Sequence, residues 1–166
     1  IALPVAKAVK ASGGKVTAIL GFKTKELVIL ENELRAVCDE VIVTTDDGSY
    51  GIKGSVVAPL IDILKRSGGS PREVFAVGSL NMMKYVSLAT KPFGVKTTVS
   101  MNPIMIDGTG MCGGCRLRVG GEIKFACVDG PDFDGHAVDF DSLIKANARF
   151  SEFEQKRKND CKLFKM

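Results

Sequence analysis

Asp107-Gly-Thr-Gly-Met-Cys112-Gly-Gly-Cys115-Arg-Leu-Arg-Val-Gly120-Gly121-Glu-Ile-Lys-Phe-Ala-Cys127 holds three of the five cysteines of this 166-residue chain. Cys112 and Cys115 form a C-x2-C pair set among four glycines. Glycine lets a backbone wrap closely around a small inorganic object and turn N–H groups toward its sulfurs, so this reads as a ligand loop rather than a core segment. Between Cys115 and Cys127 lie Arg116–Val119 and Glu122–Phe125, two short strand-like runs around Gly120-Gly121. That is a hairpin signature. With the register set by the turn, Val119 faces Glu122, Leu117 faces Lys124, and Cys115 returns beside Ala126 and Cys127. The three thiols are expected to converge.

Structural zinc and iron–sulfur clusters are both normally held by four protein groups. No fourth cysteine lies nearby, which leaves Asp107, Asp129 and His136 as candidates, Asp107 first because it leads into the same glycine-rich loop. Thiolates suit zinc and iron–sulfur alike. A zinc ribbon usually brings a second C-x2-C pair, and this chain has none.

Working outward, strands and helices alternate. Residues 2–12 read as a helix with Ala2, Val5, Ala6 and Val9 on one face, stopped by Gly13-Gly14. Lys15–Gly21 reads as a buried strand. Thr24 is placed to cap a helix through about Arg35 with Leu27, Leu30 and Leu34 inward. Glu40–Thr45 is the next strand, followed by a helix capped by Ser55 that carries Val57, Leu60, Ile61 and Leu64 and ends at Gly68-Gly69. A strand at Glu73–Gly78, a helix at Ser79–Ala89, a strand at Val95–Met101 and a last helix from Asp141 to about Phe150 complete the series. The basic residues beyond, among them Lys156, Arg157, Lys158, Lys162 and Lys165, read as a solvated tail. Cys38 reads as a small buried residue, Cys161 as a bystander thiol, His136 as a turn residue, and Met82 and Met83 as core.

This alternation predicts an α/β fold: a parallel, doubly wound nucleotide-binding sheet with helices on both faces and a small C-terminal metal module containing the hairpin. Such sheets open with a strand and a glycine-rich turn. Here the first element is a helix, so the sheet is expected to lack its first strand and the chain to be the later part of a longer one. The expected divisions are 1–102 for the nucleotide-binding domain, 103–140 for the metal module and 141–166 for a helix and tail.

Hydrophobic residues make up 45% and charged residues 25%, enough for one ordinary domain. No apolar run approaches the ~20 residues a membrane helix needs. Five cysteines, three at ligand spacing, argue against a secreted disulfide framework and for the reducing cytoplasm. A net charge of +4 spread along the chain gives no nucleic-acid signature.

Asp107-x4-Cys112-x2-Cys115-x11-Cys127, followed by Val-Asp-Gly-Pro-Asp-Phe-Asp-Gly-His136, resembles the cluster-binding end of a flavoprotein electron-transfer subunit family. The family includes the electron-transfer subunit of dihydroorotate dehydrogenase, the small subunit of NADH-dependent ferredoxin:NADP oxidoreductase, and sulfide dehydrogenase subunits. In the dihydroorotate branch a fourth cysteine stands where this chain has Asp107. In the oxidoreductase branch an aspartate ligates one iron of a 2Fe–2S cluster, and this sequence is similar to that variant. The resemblance implies a ferredoxin-reductase-like sheet and a 2Fe–2S cluster on Asp107, Cys112, Cys115 and Cys127. It also implies FAD held mainly by an N-terminal barrel outside this sequence, NAD or NADP as electron donor, and a catalytic partner subunit. The pyridine nucleotide would meet Gly21 and Lys23 after the first strand present, Asp46, Gly48 and Ser49 after the second, and Gly78, Ser79 and Met82 after the third. The relay that the resemblance implies would run from NAD(P)H through FAD to the cluster and on to the partner, and a chain lacking the barrel is expected to be inactive alone. The alternative from another class is a zinc-stapled Rossmann-like interaction domain without catalytic activity.

Overall fold

The computed structural model describes residues 1–66, 71–148 and 151–160. Gly68-Gly69, Phe150, Cys161, Lys162 and Lys165 lie outside them. The elements run α1 (Ala2–Ala11), β1 (Thr17–Phe22), α2 (Glu31–Arg35), β2 (Glu40–Thr45), β3 (Ile52–Lys53), α3 (Val57–Arg66), β4 (Glu73–Val77), α4 (Leu80–Thr90), β5 (Lys96–Ser100), β6 (Arg116–Val119), β7 (Glu122–Phe125), α5 (Ala126–Asp129), β8 (Asp132–Asp134), α6 (Phe140–Asn147) and α7 (Ser151–Asp160). Strands and helices alternate through β5, as the sequence implies, except that the two-residue β3 follows β2 with no helix between.

The strands form two three-stranded sheets and one hairpin, not a single sheet. In the first sheet β1, β2 and β3 are all parallel, with Thr17 opposite Glu40 and Phe22 opposite Thr45. In the second, β4 and β5 are parallel and β8 adds antiparallel to the outer edge of β5. β1 and β4 are therefore both edge strands. β8 arises from the Asp-Phe-Asp run, too short and acidic to read as a strand from sequence. Its place is fixed by Phe133 opposite Val99, which is fully buried.

A buried cluster gathers Leu60, Leu64, Ala76, Met83, Val86, Val99, Leu117, Phe140 and Leu143 from α3, α4, α6 and strands β4, β5 and β6, together with Met101 just past β5. Cys115 and Ala126 of the hairpin base belong to the same cluster, so the cysteine segment is anchored on the core of the α/β body. Burying a side chain such as Met83 stabilises the fold by about 1.5–3 kcal/mol.

Three expectations need correcting. Thr24 caps no long helix: a 3-10 turn spans Lys25–Leu27, and α2 begins only at Glu31 after Leu30, whose φ is +57°. Leu27 and Leu30 are about half exposed, and of the predicted trio only Leu34 is buried. The left-handed Leu30 breaks the helical period that would have turned them inward. The cap of α6 is Asp139, which accepts from the Ser142 N–H at 3.0 Å, while Asp141 sits in the first turn paired with Lys84 at 2.6 Å. On α1 only Ala6 is buried; Val9 is substantially exposed. Ser55 and Ser79 cap α3 and α4 through the N–H groups of Val57 and Met82.

Candidate functional site

The hairpin forms in the predicted register, Val119 opposite Glu122 and Leu117 opposite Lys124. Its first strand is stitched to the chain before α6. The Gly120 N–H donates to the Ala137 carbonyl at 2.8 Å, the Asp139 N–H to the Arg118 carbonyl at 2.9 Å, and Val119 bridges Val138. With Leu117 4% exposed on the core, Cys115 enters the site from a fixed position and is itself 1% exposed. The Ala126 N–H donates to the Cys115 carbonyl at 3.2 Å, and α5 starts there, turning Cys127 back over Cys115.

The Sγ atoms of Cys115 and Cys127 are 3.3 Å apart. That is far beyond a disulfide of about 2.05 Å. It approaches the ~3.8 Å between two sulfurs on one tetrahedral metal with ~2.3 Å bonds. The Cys127 N–H, aimed at the Cys115 sulfur, holds that thiol below its ordinary pKa, and the neighbouring Cys115 sulfur pushes the Cys127 thiol up.

Cys112 does not join them. It is exposed on the glycine loop, where its sulfur accepts the Gly114 N–H at 3.4 Å. Among the described residues no group of three or more His, Cys, Asp or Glu side chains could hold a metal ion, so the expected convergence of three thiols is replaced by a pair and a separate loop. Gly108, Gly110 and Gly113, with φ of +78°, +84° and +65°, give this loop a path that residues with a Cβ rarely adopt.

Asp107 braces the loop. One carboxylate oxygen accepts the Thr109 N–H at 2.8 Å and the other the Cys112 N–H at 3.0 Å, and these bonds, the first above all, keep its carboxyl below the usual range. Asp129 instead accepts the Phe125 N–H at 2.6 Å, and the His136 ring meets the buried Thr90 hydroxyl at 3.0 Å. Of the three candidates for a fourth ligand, only Asp107 is tied to a cysteine. Three soft thiols with one hard carboxylate on glycine-rich backbone are a donor set that suits iron–sulfur ligation.

The loops after β1, β2 and β4 hold the other predicted residues. The Asp46 and Asp47 N–H groups donate to the carbonyls of Phe22 and Lys23 at 3.0 and 3.3 Å, extending the β1–β2 ladder past the strands. Ser49 is spent within the loops: its hydroxyl donates to Asp47 at 2.7 Å and accepts the Lys25 N–H at 2.8 Å. The Ser49 hydroxyl is also the main cause of the lowered Asp47 pKa. Lys23 and Asp46 stand exposed, and Gly48 takes φ +79°. A Cβ at Gly21 would come within 2.6 Å of Val56, and one at Gly78 within 2.7 Å of the Met82 methyl. Both glycines thus keep backbone close to a neighbour. Ser79 is occupied as the α4 cap, and Met82 packs against the core.

Two features escape the sequence reading. Asn102, two residues past β5, donates its side-chain N–H to the Gly78 carbonyl at 3.3 Å. Its place just beyond a parallel strand was the signal available. Tyr50 reaches Glu31 at 3.2 Å and carries the Lys25 ammonium 5.9 Å above its ring, latching the loops after β1 and β2 together. No spacing rule forecasts that contact.

Residues 102–139 match the iron–sulfur cluster binding domain of dihydroorotate dehydrogenase B. Across the chain, similarity extends to a dihydroorotate dehydrogenase B (NAD(+)) electron transfer subunit homolog of Thermotoga maritima, 49% identical over 152 residues, covering 92% of this chain and 53% of the relative. The electron transfer subunit of Streptococcus thermophilus is 40% identical over 134 residues, covering 77% of this chain and 49% of the relative. A solved structure of NADH-dependent reduced ferredoxin–NADP oxidoreductase superposes with a TM-score of 0.82 at 45% identity, covering 96% of this chain and 56% of that one. The chain spans about half the length of the curated relatives it matches. The family resemblance carried by Asp107 to His136 holds, as does the mixed α/β fold with parallel strands. Among the described residues no helix is long and apolar enough to cross a membrane.

Proposed function

We propose that this chain is the pyridine-nucleotide and cluster-bearing part of an electron-transfer subunit in a cytoplasmic hetero-oligomeric oxidoreductase. The observation that carries the reading is the Cys115–Cys127 pair beside the loop braced by Asp107 and Cys112, within residues that match a cluster-binding domain. Cys112, Cys115, Cys127 and Asp107 would hold a 2Fe–2S cluster, which when bound supplies one-electron transfer. The chain's own residues contribute position and electrostatics. Leu117 and the stitched β6 fix Cys115, and the Gly114 and Cys127 N–H groups face the sulfurs of Cys112 and Cys115. The loops at Gly21–Lys23, Asp46–Ser49 and Gly78–Met82 would receive NAD or NADP at the carboxyl ends of parallel strands. FAD would bind mainly to a barrel that precedes this sequence, and one further strand would lie between β1 and β4, the two edge strands.

The test is the visible spectrum with iron, zinc and acid-labile sulfide analysis of the purified protein. Absorbance above 400 nm with iron and sulfide in equal amounts is expected. A colourless protein containing zinc would replace this reading with that of a zinc-stapled interaction domain. Asp107→Ala should bleach or destabilise the cluster, and unchanged absorbance and iron content would remove Asp107 from the ligand set.

A further inference from the structure

We propose that Asn102 is a binding residue for the nicotinamide end of the dinucleotide, its side-chain oxygen accepting a hydrogen bond from the carboxamide N–H; this rests on the reading that the strand-end loops receive NAD or NADP. The placement of Asn102 is fixed from both sides. Met101 before it is 2% exposed, and Pro103 after it is buried. The Met101 N–H donates to the Pro131 carbonyl at 2.9 Å, and a residue that precedes proline is confined to extended backbone. Asn102 itself is exposed, and its side-chain nitrogen donates to the Gly78 carbonyl at 3.3 Å. That bond orients the amide. A carbonyl only accepts, so the Asn102 nitrogen must face Gly78 and its oxygen must face away. The Asn102 Oδ1 has no hydrogen-bond partner among the described residues. The chain thus presents an oriented, open acceptor just past β5, beside the loop that leads from β4 into α4.

Position in the fold says which half of the dinucleotide this acceptor meets. Through β8, β5 is joined to the segment that carries the cysteines, and Cys127 precedes Pro131, the partner of Met101, by only four residues. Electrons taken from the pyridine ring have to reach that side. The ring therefore belongs over the ends of β4 and β5, and the adenosine half over those of β1 and β2. A carboxamide offers two N–H donors and one acceptor. An open acceptor beside Gly78 complements those donors, whereas the neighbouring Ser79 hydroxyl is already spent on the Met82 N–H.

Binding of NAD+ and of its 3-acetylpyridine analogue, in which a methyl group replaces the amide nitrogen, tests the assignment on the subunit with flavin and cluster bound. If the subunit prefers NADP+, the corresponding NADP+ pair is used. Titration calorimetry gives both dissociation constants. The wild type should hold the natural nucleotide about threefold to tenfold more tightly, the size of one neutral hydrogen bond. Asn102→Ala should weaken the natural nucleotide by that factor and leave the analogue almost unaffected, so that the preference disappears. Where the alanine variant does not fold, Asn102→Leu, closer in shape, is read the same way. A preference that survives the substitution, or an equal loss for both nucleotides, would overturn the assignment. So would a wild-type subunit that binds both without preference. A subunit that binds neither NAD+ nor NADP+ defeats the functional reading instead.

Discussion

The sulfurs of Cys115 and Cys127 meet at 3.3 Å because the strand that ends one side of the hairpin is fastened to the core while the other turns straight into α5. The fastening is Leu117. Its side chain is 4% exposed among the residues of the main core, one residue from Arg116 and two from Cys115.

Leu117→Ala should therefore lower stability and loosen the thiol pair together. Truncating a buried leucine costs about 2–5 kcal/mol. Chemical denaturation should show that loss, and iron retained after gel filtration should fall in parallel. A destabilised variant that keeps its full iron content would mean that the pair does not depend on this anchor.

Gly51 makes a second, sharper demand on the chain. Its φ is +66°, and a Cβ there would run into the Val43 carbonyl, a backbone atom of β2 that cannot swing aside. Gly120 has nearly the same φ, +60°, with nothing within 4 Å of the added carbon. Gly120→Ala should cost only the left-handed penalty of about 1–2 kcal/mol. Gly51→Ala should cost clearly more, and should also disturb the Asp46–Ser49 loop that the next turn supports. Thermal melts of the two variants compare the costs directly; equal shifts would show that β2 yields.

Much of this architecture was legible because its signals are local. Gly120-Gly121 between two alternating runs fixes a register, and the hairpin follows it residue for residue. Ser55 and Ser79 announce their helices, and Glu40–Thr45 is a strand with the predicted bounds. What could not be read depends on tertiary contact. The failure at Thr24 comes from Leu30 in a left-handed conformation, which no propensity scale expects of leucine. β8 exists only because β5 offers it a partner edge. In the site, the C-x2-C spacing made Cys112 and Cys115 appear as a unit, yet Cys115 belongs with Cys127, since the hairpin brings together residues twelve apart while the glycines carry Cys112 along a separate path.

Asp139 provides a pH-dependent contribution that does not involve the cysteine loop. Its carboxylate accepts from the Ser142 hydroxyl and N–H, and these bonds, the hydroxyl first, hold its folded-state pKa below the ordinary value. A depressed carboxylate pKa stabilises the fold above the unfolded value, about 3.9 for aspartate, and that contribution is lost as pH falls through the folded value. Asp139→Ala should cost about 1 kcal/mol at neutral pH, as loss of a helix cap does. The difference from wild type should shrink as melts are taken progressively below pH 4. A difference that stays constant through the acid range would show that the cap contributes no ionisation-linked stability.

The two edge strands β1 and β4 make the last prediction. Strands inside a parallel sheet are flanked on both sides and buried on both faces. β2 and β5 meet that description, with Val43, Thr44, Thr45, Thr97 and Val99 buried. β1 does not: Ala18, Ile19 and Leu20 are only half-buried, and none of its residues is fully enclosed. An apolar strand with one open side is incomplete by the same rule that makes exposed edges a liability. If one more parallel strand belongs between them, the outward amides of β1 and β4 should exchange with solvent rapidly in the 166-residue chain, while those of β2 and β5 stay protected. In a longer chain that supplies the strand, both edges should become as protected as β2. Hydrogen exchange read residue by residue decides the matter: edges of β1 and β4 that remain fast in the longer chain would show that the two sheets are separate by design, and that the added segment folds elsewhere.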